Sequence, residues 1–236
     1  MFIPLGDDNS LRRNTPLILW LILGINVFVW YLQLTLGDTF TNGYAAIPFE
    51  VMNSKDLISP TNVSLGGQHI NIPQAPGPSP IQLTMISAMF MHGSWEHIIG
   101  NMVYLMIFGD QIEDLMGKGR FILFYLACGV CASLAHVLTD PNSTIPSLGA
   151  SGAIAGLLGA YLVNYPGNKV RVLFMRDVVM MPATIVLGGW ILLQLISQVG
   201  VYAGEQSGVA YMAHIGGFAA GVPLSFLLRR SQGDSA

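Results

Sequence analysis

The chain has 236 residues, of which 52% are hydrophobic and only 10% charged, with a formal net charge of -3. An average soluble domain carries roughly 25% charged residues, so the composition excludes a soluble protein and points to an integral membrane protein. The ten scattered basic residues leave no electrostatic footprint for nucleic acid, and Cys128 and Cys131, inside an apolar stretch, are too few for a secreted disulfide scaffold.

In chain order, apolar runs between polar punctuation predict spans at residues 16–36, 94–116, 121–139, 150–164, 179–200 and 207–228. The predicted fold class is all-α, a polytopic bundle of six transmembrane helices, with residues 1–236 as a single membrane domain. The first span follows Arg12 and Arg13, and its apolar run exceeds the ~7 to 15 residues of a signal peptide, so it is expected to stay in the mature chain. A long first loop, 37–93, contains Pro73, Pro76, Pro78 and Pro80, which exclude regular helix there. The apolar segment Ile81 to Met91 that follows is too short to span, and is expected to lie in the interface or against the bundle. With six spans, nine of the ten Lys and Arg residues fall on one side, with only Lys55 opposite. Basic residues are retained on the cytoplasmic side, so both termini are predicted to be cytoplasmic.

The fourth span is short. From Ser151 to Asn164 it has 14 residues, which as helix reach ~21 Å against a hydrocarbon core ~30 Å thick. Pro166, Gly167 and Lys169 fix its cytoplasmic end, so the shortfall lies outside, where residues 141–150 must dip into the membrane. Irregular backbone is tolerated at that depth only where protein buries it or water lines it, so a wet cavity is expected with Ser151 at its floor. Asn101 lies seven residues in from Ser94, and His214 seven in from Ser207, each ~10 Å below the outer edge. His97 and Asn101, spaced i, i+4, share a helical face. Gly152 and Gly156, Ala155 and Gly159, and Gly217 and Gly221 form small-xxx-small pairs that let the fourth and sixth helices approach closely.

A serine in a membrane helix is ordinarily a packing or back-bonded residue, and a histidine or asparagine there can be interhelical glue. Ser151, His214 and Asn101 at one depth also make a chemical set. A neutral imidazole can take the serine proton, and the Asn101 amide, a His97 ring N–H and the Ser151 backbone N–H can hold an oxyanion. The thirteen carboxylates fall away from the positions that could orient His214, so a Ser151–His214 dyad is expected rather than a triad. The C-x-x-C of Cys128 and Cys131 lies mid-span and reads as packing. His92 is expected to brace the first loop.

Over residues 83–222 the chain resembles the rhomboid intramembrane serine proteases. The resemblance rests on Gly149-Ala150-Ser151-Gly152, on Ala213-His214-Ile215-Gly216-Gly217 with Gly221, and on His97 and Asn101 as H-x-x-x-N. Gly109, Glu113 and Gly117 add a G-x-x-x-E-x-x-x-G pattern. It implies a six-helix fold and an endopeptidase with catalytic Ser151 and His214 and an oxyanion site from His97, Asn101 and Ser151. It further implies a structural Glu113 holding the cytoplasmic end of the second helix, and cleavage of single-pass membrane-anchored substrates near the extracytoplasmic surface. The motif glycines Gly149, Gly152, Gly217 and Gly221 would be structural. The partners are then such substrates and the lipid bilayer, with no nucleic acid, and the reaction calls for no metal and no cofactor. Lateral substrate access past the second and fifth helices, with Gly200 to Ser207 as a cap, is implied by the same likeness. The compact form looks most like prokaryotic members, in the plasma membrane.

Two positions depart from the pattern. Many relatives place a tyrosine four residues after the serine, against the histidine; here that residue is Ala155, so another must support the imidazole. The Trp-Arg pair of several relatives' first loop is missing. A non-proteolytic rhomboid-like protein that guides membrane clients, and a small transporter, are the alternatives from other classes.

Overall fold

The computed structural model describes residues 2–65, 68–203 and 208–230. In chain order it contains β1 (Phe2–Asp7), α1 (Leu17–Tyr44), α2 (Pro48–Asn53), β2 (Thr61–Leu65), β3 (Gln68–Ile72) and α3 (Thr84–Ser87). There follow α4 (Trp95–Met116), α5 (Lys118–Thr139), α6 (Ser151–Asn164), β4 (Lys169–Phe174), β5 (Asp177–Pro182), α7 (Ala183–Tyr202) and α8 (Tyr211–Leu228). A helix stands at each of the six predicted spans. Four of them, α1, α5, α7 and α8, are long and apolar enough to cross a membrane. The other two differ for physical reasons: α4 carries Glu96, Asp110, Glu113 and Asp114, and α6 has only 14 residues.

The short helix is the centre of the bundle. Every residue from Gly152 to Tyr161 is buried, against α4, α5, α7 and α8. Its glycines explain how it can be so enclosed. A Cβ at Gly217 or Gly221 of α8 would collide with the carbonyl oxygen of Gly152 or Gly156, and one at Gly159 with the carbonyl of Phe218. The two helices therefore touch backbone to backbone, as small-xxx-small pairs allow. On the opposite flank, Cys128 of α5 packs on Gly156, and both cysteines are free thiols.

Polar side chains fasten the end of the bundle that carries the basic loops. The N-terminus of α1 follows Pro16 with no side-chain cap of its own. Glu113, from the last turns of α4, supplies one: the backbone N–H groups of Ile18 and Leu19 donate to its carboxylate at 3.1 and 2.7 Å. A helix N-terminus leaves N–H groups unpaired and favours a negative charge, so this carboxylate satisfies both needs of α1. The resemblance implies a Glu113 that holds this end of the second helix, and its side chain ties that end to the N-terminus of α1.

Two small sheets add to the expected all-helical fold. Strands pair antiparallel in the order β1-β4-β5, with Ile3 opposite Leu173 and Val172 opposite Val179. Val170 and Val172 turn into the core while Lys169 and Arg171 are exposed, the period-2 alternation of a half-buried strand. This corrects the fifth span. Residues 177–182 pair as strand, Pro182 supplies no backbone N–H, and the helix begins at Ala183 instead of 179.

The first loop is ordered by its contacts with the segment before α6. Helix α1 breaks at Gly37 (φ 74°), where the loop was predicted to start, and continues as helix to Tyr44. Ala46 and Ser147 exchange backbone hydrogen bonds of 2.9 and 2.8 Å, and Phe49 N–H donates to the Ser143 carbonyl. Gln74 donates to the Thr144 carbonyl, and the hydroxyl of Thr61, at the head of the β2–β3 hairpin, bonds that of Thr144. The apolar stretch 81–90 is a run of short helical turns packed inward through Ile81, Ala88 and Met89.

Candidate active site

The site is built where α4, α6 and α8 come together at the end of α6 nearest the first loop. Residues 141–150 approach Ser151 as irregular chain whose backbone groups are taken up by the first loop and by Ala88, which accepts from Gly149 N–H at 2.8 Å. Gly149 has φ 139°, a backbone region that side chains rarely adopt. A Cβ there would also sit 2.9 Å from both Cε1 and Nε2 of the His97 ring and 3.5 Å from Ser151 Oγ. Glycine thus keeps open the space between the serine and His97. Ala150 caps α6, and Ser151 is its first residue, so its backbone N–H is one that the helix itself does not pair.

Close packing of α8 on α6 brings His214 to the serine: Nε2 lies 2.8 Å from Ser151 Oγ. The other ring nitrogen fixes the tautomer. Nδ1 is 2.7 Å from Gln194 Oε1 on α7, and a carbonyl oxygen can only accept, so the proton of a neutral His214 is on Nδ1. Nε2 is then an acceptor, and the Ser151 hydroxyl donates to it. Trp190, one turn before Gln194, lays its indole beside the imidazole, with ring centroids 5.7 Å apart and planes inclined by 38°. It also stacks on Phe218, one turn beyond His214.

The position left empty of a tyrosine by Ala155 is therefore compensated from a different helix. Sequence reasoning did not find Trp190 or Gln194. A signal existed: a glutamine within the charge-free run 178–204, four residues after a tryptophan, is a polar group in a membrane helix that needs a partner.

The α4 residues take up complementary positions. Ser94 caps this helix by accepting from His97 N–H at 3.2 Å. The Gly93 N–H approaches His97 Nδ1 at 3.4 Å, so a neutral His97 carries its proton on Nε2, the atom turned to Gly149. Asn101 is buried one turn further on, and its amide nitrogen has no acceptor among the described residues. Both are donors in the sense an oxyanion needs. His92 braces the first loop through its backbone, exchanging bonds of 2.9 and 3.0 Å with Gln33 of α1, and its ring meets the His97 ring edge-on at 5.1 Å.

A cavity of about 40 Å³ borders the serine; Ser133, Ser147 and Ser151 are the polar residues of a lining that is otherwise small or apolar, Met85 and Met89 among it. A volume of ~10–15 Å³ on the same measure holds one water, so the space admits water beside the hydroxyl. Residues 204–207 of the expected cap lie outside the described residues; Gly200 to Tyr202 complete α7.

Comparison with known proteins agrees with this architecture. The chain is 28% identical over 143 residues to Putative rhomboid protease YdcA of Bacillus subtilis (strain 168), covering 61% of this chain and 65% of that one. It is 33% identical over 137 residues to Rhomboid protease GluP of the same organism, covering 58% and 24%. With RHOMBOID-like protein 5 of Arabidopsis thaliana it shares 34% over 144 residues, covering 61% and 43%. The chain thus spans less than two thirds of the length of each of these relatives. A family model described as Rhomboid domain matches residues 82–231, the stretch that contains α4 to α8 with Ser151, His214, His97, Asn101, Trp190 and Gln194, and with four helices fit to cross a bilayer the chain belongs to the rhomboid family of integral membrane proteins.

Proposed function

We propose that this protein is an intramembrane serine endopeptidase that hydrolyses peptide bonds of single-pass, membrane-anchored substrates with a Ser151–His214 dyad. The observation that carries the reading is the 2.8 Å contact between Ser151 Oγ and His214 Nε2 in the tautomer that accepts the serine proton. Relatives named as rhomboid proteases support it.

Ser151 Oγ attacks the scissile carbonyl as its proton passes to His214 Nε2, giving a tetrahedral oxyanion. The donors assigned to that charge are the Asn101 amide, the His97 Nε2–H and the Ser151 backbone N–H, since stabilisation of this kind calls for donors fixed before reaction. The imidazolium then protonates the leaving amine, and the C–N bond breaks. A water attacks the acyl carbonyl as His214 takes one of its protons; the imidazolium returns that proton to Ser151 Oγ as the acyl C–O bond breaks, releasing the carboxylate product. No metal or cofactor enters this sequence.

The wider frame belongs to the same proposal. Six helices, α1 and α4 to α8, cross the membrane, with the shortfall of α6 filled by residues 141–150. The Lys and Arg distribution supports cytoplasmic termini and a site on the extracytoplasmic side, where cleavage occurs. Hydrogen bonds from the first loop to residues 143–147, and the pairing of β1 with β4, support reading residues 1–236 as one membrane domain with its family-like core at 83–222.

Purified protein in liposomes should cut a single-pass substrate, and Ser151→Ala and His214→Ala should each abolish cutting while leaving the helical content unchanged. Undiminished cutting by either variant removes the dyad.

A further inference from the structure

The dyad expected from the carboxylate positions has a third partner that bears no charge. We infer that Gln194 is a positioning residue for the catalytic base, holding His214 in its Nδ1-protonated tautomer from α7; this inference rests on the protease reading above. The geometry is specific. Gln194 Oε1 lies 2.7 Å from Nδ1, while Nε2 of the same ring lies 2.8 Å from Ser151 Oγ, so one imidazole bridges the carboxamide and the nucleophile. Without an acceptor at Nδ1, a neutral ring can equally carry its proton on Nε2, where it cannot receive the serine proton.

A serine protease triad uses an aspartate at this place, which orients the ring and stabilises the imidazolium. A carboxamide does the first and contributes only its dipole to the second. That choice suits a low-dielectric setting, because a buried carboxylate carries a large desolvation cost that a neutral amide avoids. The support is also borne on a separate helix from the base. Trp190 and Gln194 are one turn apart on α7 and reach the ring from its face and its edge, whereas Leu192, Leu193, Leu195 and Ile196 between and beyond them are exposed on the outer surface. The base is therefore in register with the serine only while α7 is docked on α8.

The test compares Gln194→Met, which keeps the length and loses the acceptor, with Gln194→Glu, which keeps the acceptor and adds charge. Gln194→Met should lower kcat by roughly 10- to 100-fold, less than the ~10⁴ lost when a triad histidine is held in the wrong tautomer, with KM and thermal stability unchanged. Gln194→Glu should retain most of kcat and shift the acid limb of the kcat/KM pH profile to higher pH, because a carboxylate favours the imidazolium. Ring ¹⁵N shifts of His214 should report Nδ1–H in the wild-type protein and a redistribution toward Nε2–H in Gln194→Met. Wild-type kinetics in Gln194→Met, equal impairment of the two variants with an unmoved pH profile, or a wild-type ring protonated on Nε2 would each overturn the inference. The two levels separate cleanly: a wild-type protein that cuts nothing sinks the protease reading, while the ¹⁵N readout still judges the Gln194 contact.

Discussion

At the residue scale, the site is defined as much by what is left unpaired as by what is bonded. Asn101 is only 8% exposed, yet its amide nitrogen has no acceptor among the described residues. A buried donor without a partner costs about 1–3 kcal/mol, so such a group is expected to acquire one in the working state. In the proposed mechanism a developing oxyanion is that partner. Asn101→Ala should therefore lower kcat by about 10²–10³-fold, or ~2.7 to 4 kcal/mol in the barrier, and by less if His97 and the Ser151 N–H compensate. Single-turnover cleavage rates measure it, and a kcat equal to wild type would remove Asn101 from the oxyanion site. Gly149 belongs to the same logic: with φ 139° and the His97 ring 2.9 Å from where a Cβ would stand, it leaves open the space between Ser151 and His97, where the proposed mechanism puts the oxyanion.

At the scale of elements, function depends on how closely α8 lies on α6. Gly217→Ala puts a methyl group into the Gly152 carbonyl, the backbone next to the serine, and neither side is a flexible side chain that can yield. We expect a loss of at least about 1–3 kcal/mol of stability together with loss of cleavage, as the Ser151–His214 contact opens. Gly188 on α7 is the internal control. Nothing stands within 4 Å of a Cβ there, so Gly188→Ala should be neutral or stabilising by about 0.5–1 kcal/mol. Thermal unfolding in detergent compares the two, and equal stability of both variants would mean that the helices are not held at backbone contact.

The sheet on the basic-loop side is tuned by a carboxyl group. Asp7 of β1 accepts from the Tyr161 hydroxyl at 2.6 Å and from Gln111 Nε2 at 2.8 Å. Burial pushes its pKa up from 3.8 to about 6, against the lowering effect of the tyrosine bond and with a further rise from nearby Asp110. A raised carboxyl pKa means that the folded state holds the proton more tightly than the unfolded one. Its contribution is thus most favourable below pH 3.8 and declines as pH rises to about 6. Asp7→Asn should abolish that part of the pH dependence, matching wild type at low pH and exceeding it above about 6. Amide hydrogen exchange of β1, corrected for intrinsic rates, reads this out; parallel pH profiles for the two proteins would contradict it.

At the scale of the whole molecule, what the sequence discloses divides by range. Charge-free runs and the 14-residue fourth span are local features. From them, helical rise alone brought Ser151, Asn101 and His214 to one level, and the structure puts the serine and His214 in contact. The long-range pairings were not readable in this way. Strand β1 finds its partner more than 160 residues later, and the short Lys169-Val170-Arg171-Val172 alternation that marks β4 carries no local sign of that partner. The clamp of the first loop on Ser143 and Ser147 likewise joins segments whose adjacency no local pattern signals. Gln194 sits between these cases. Its polarity within an apolar run was visible, but its partner was set by the crossing of α7 on α8.

The central claim is that a hydroxyl on α6 is activated by an imidazole on α8. Its most direct test is covalent labelling of the membrane-embedded protein with a serine-directed fluorophosphonate, followed by peptide mass spectrometry. The account predicts a single modified residue, Ser151, reached stoichiometrically in the wild-type protein and unmodified in His214→Ala. No labelling of the folded wild-type protein, or equal labelling of Ser151 without His214, would contradict it.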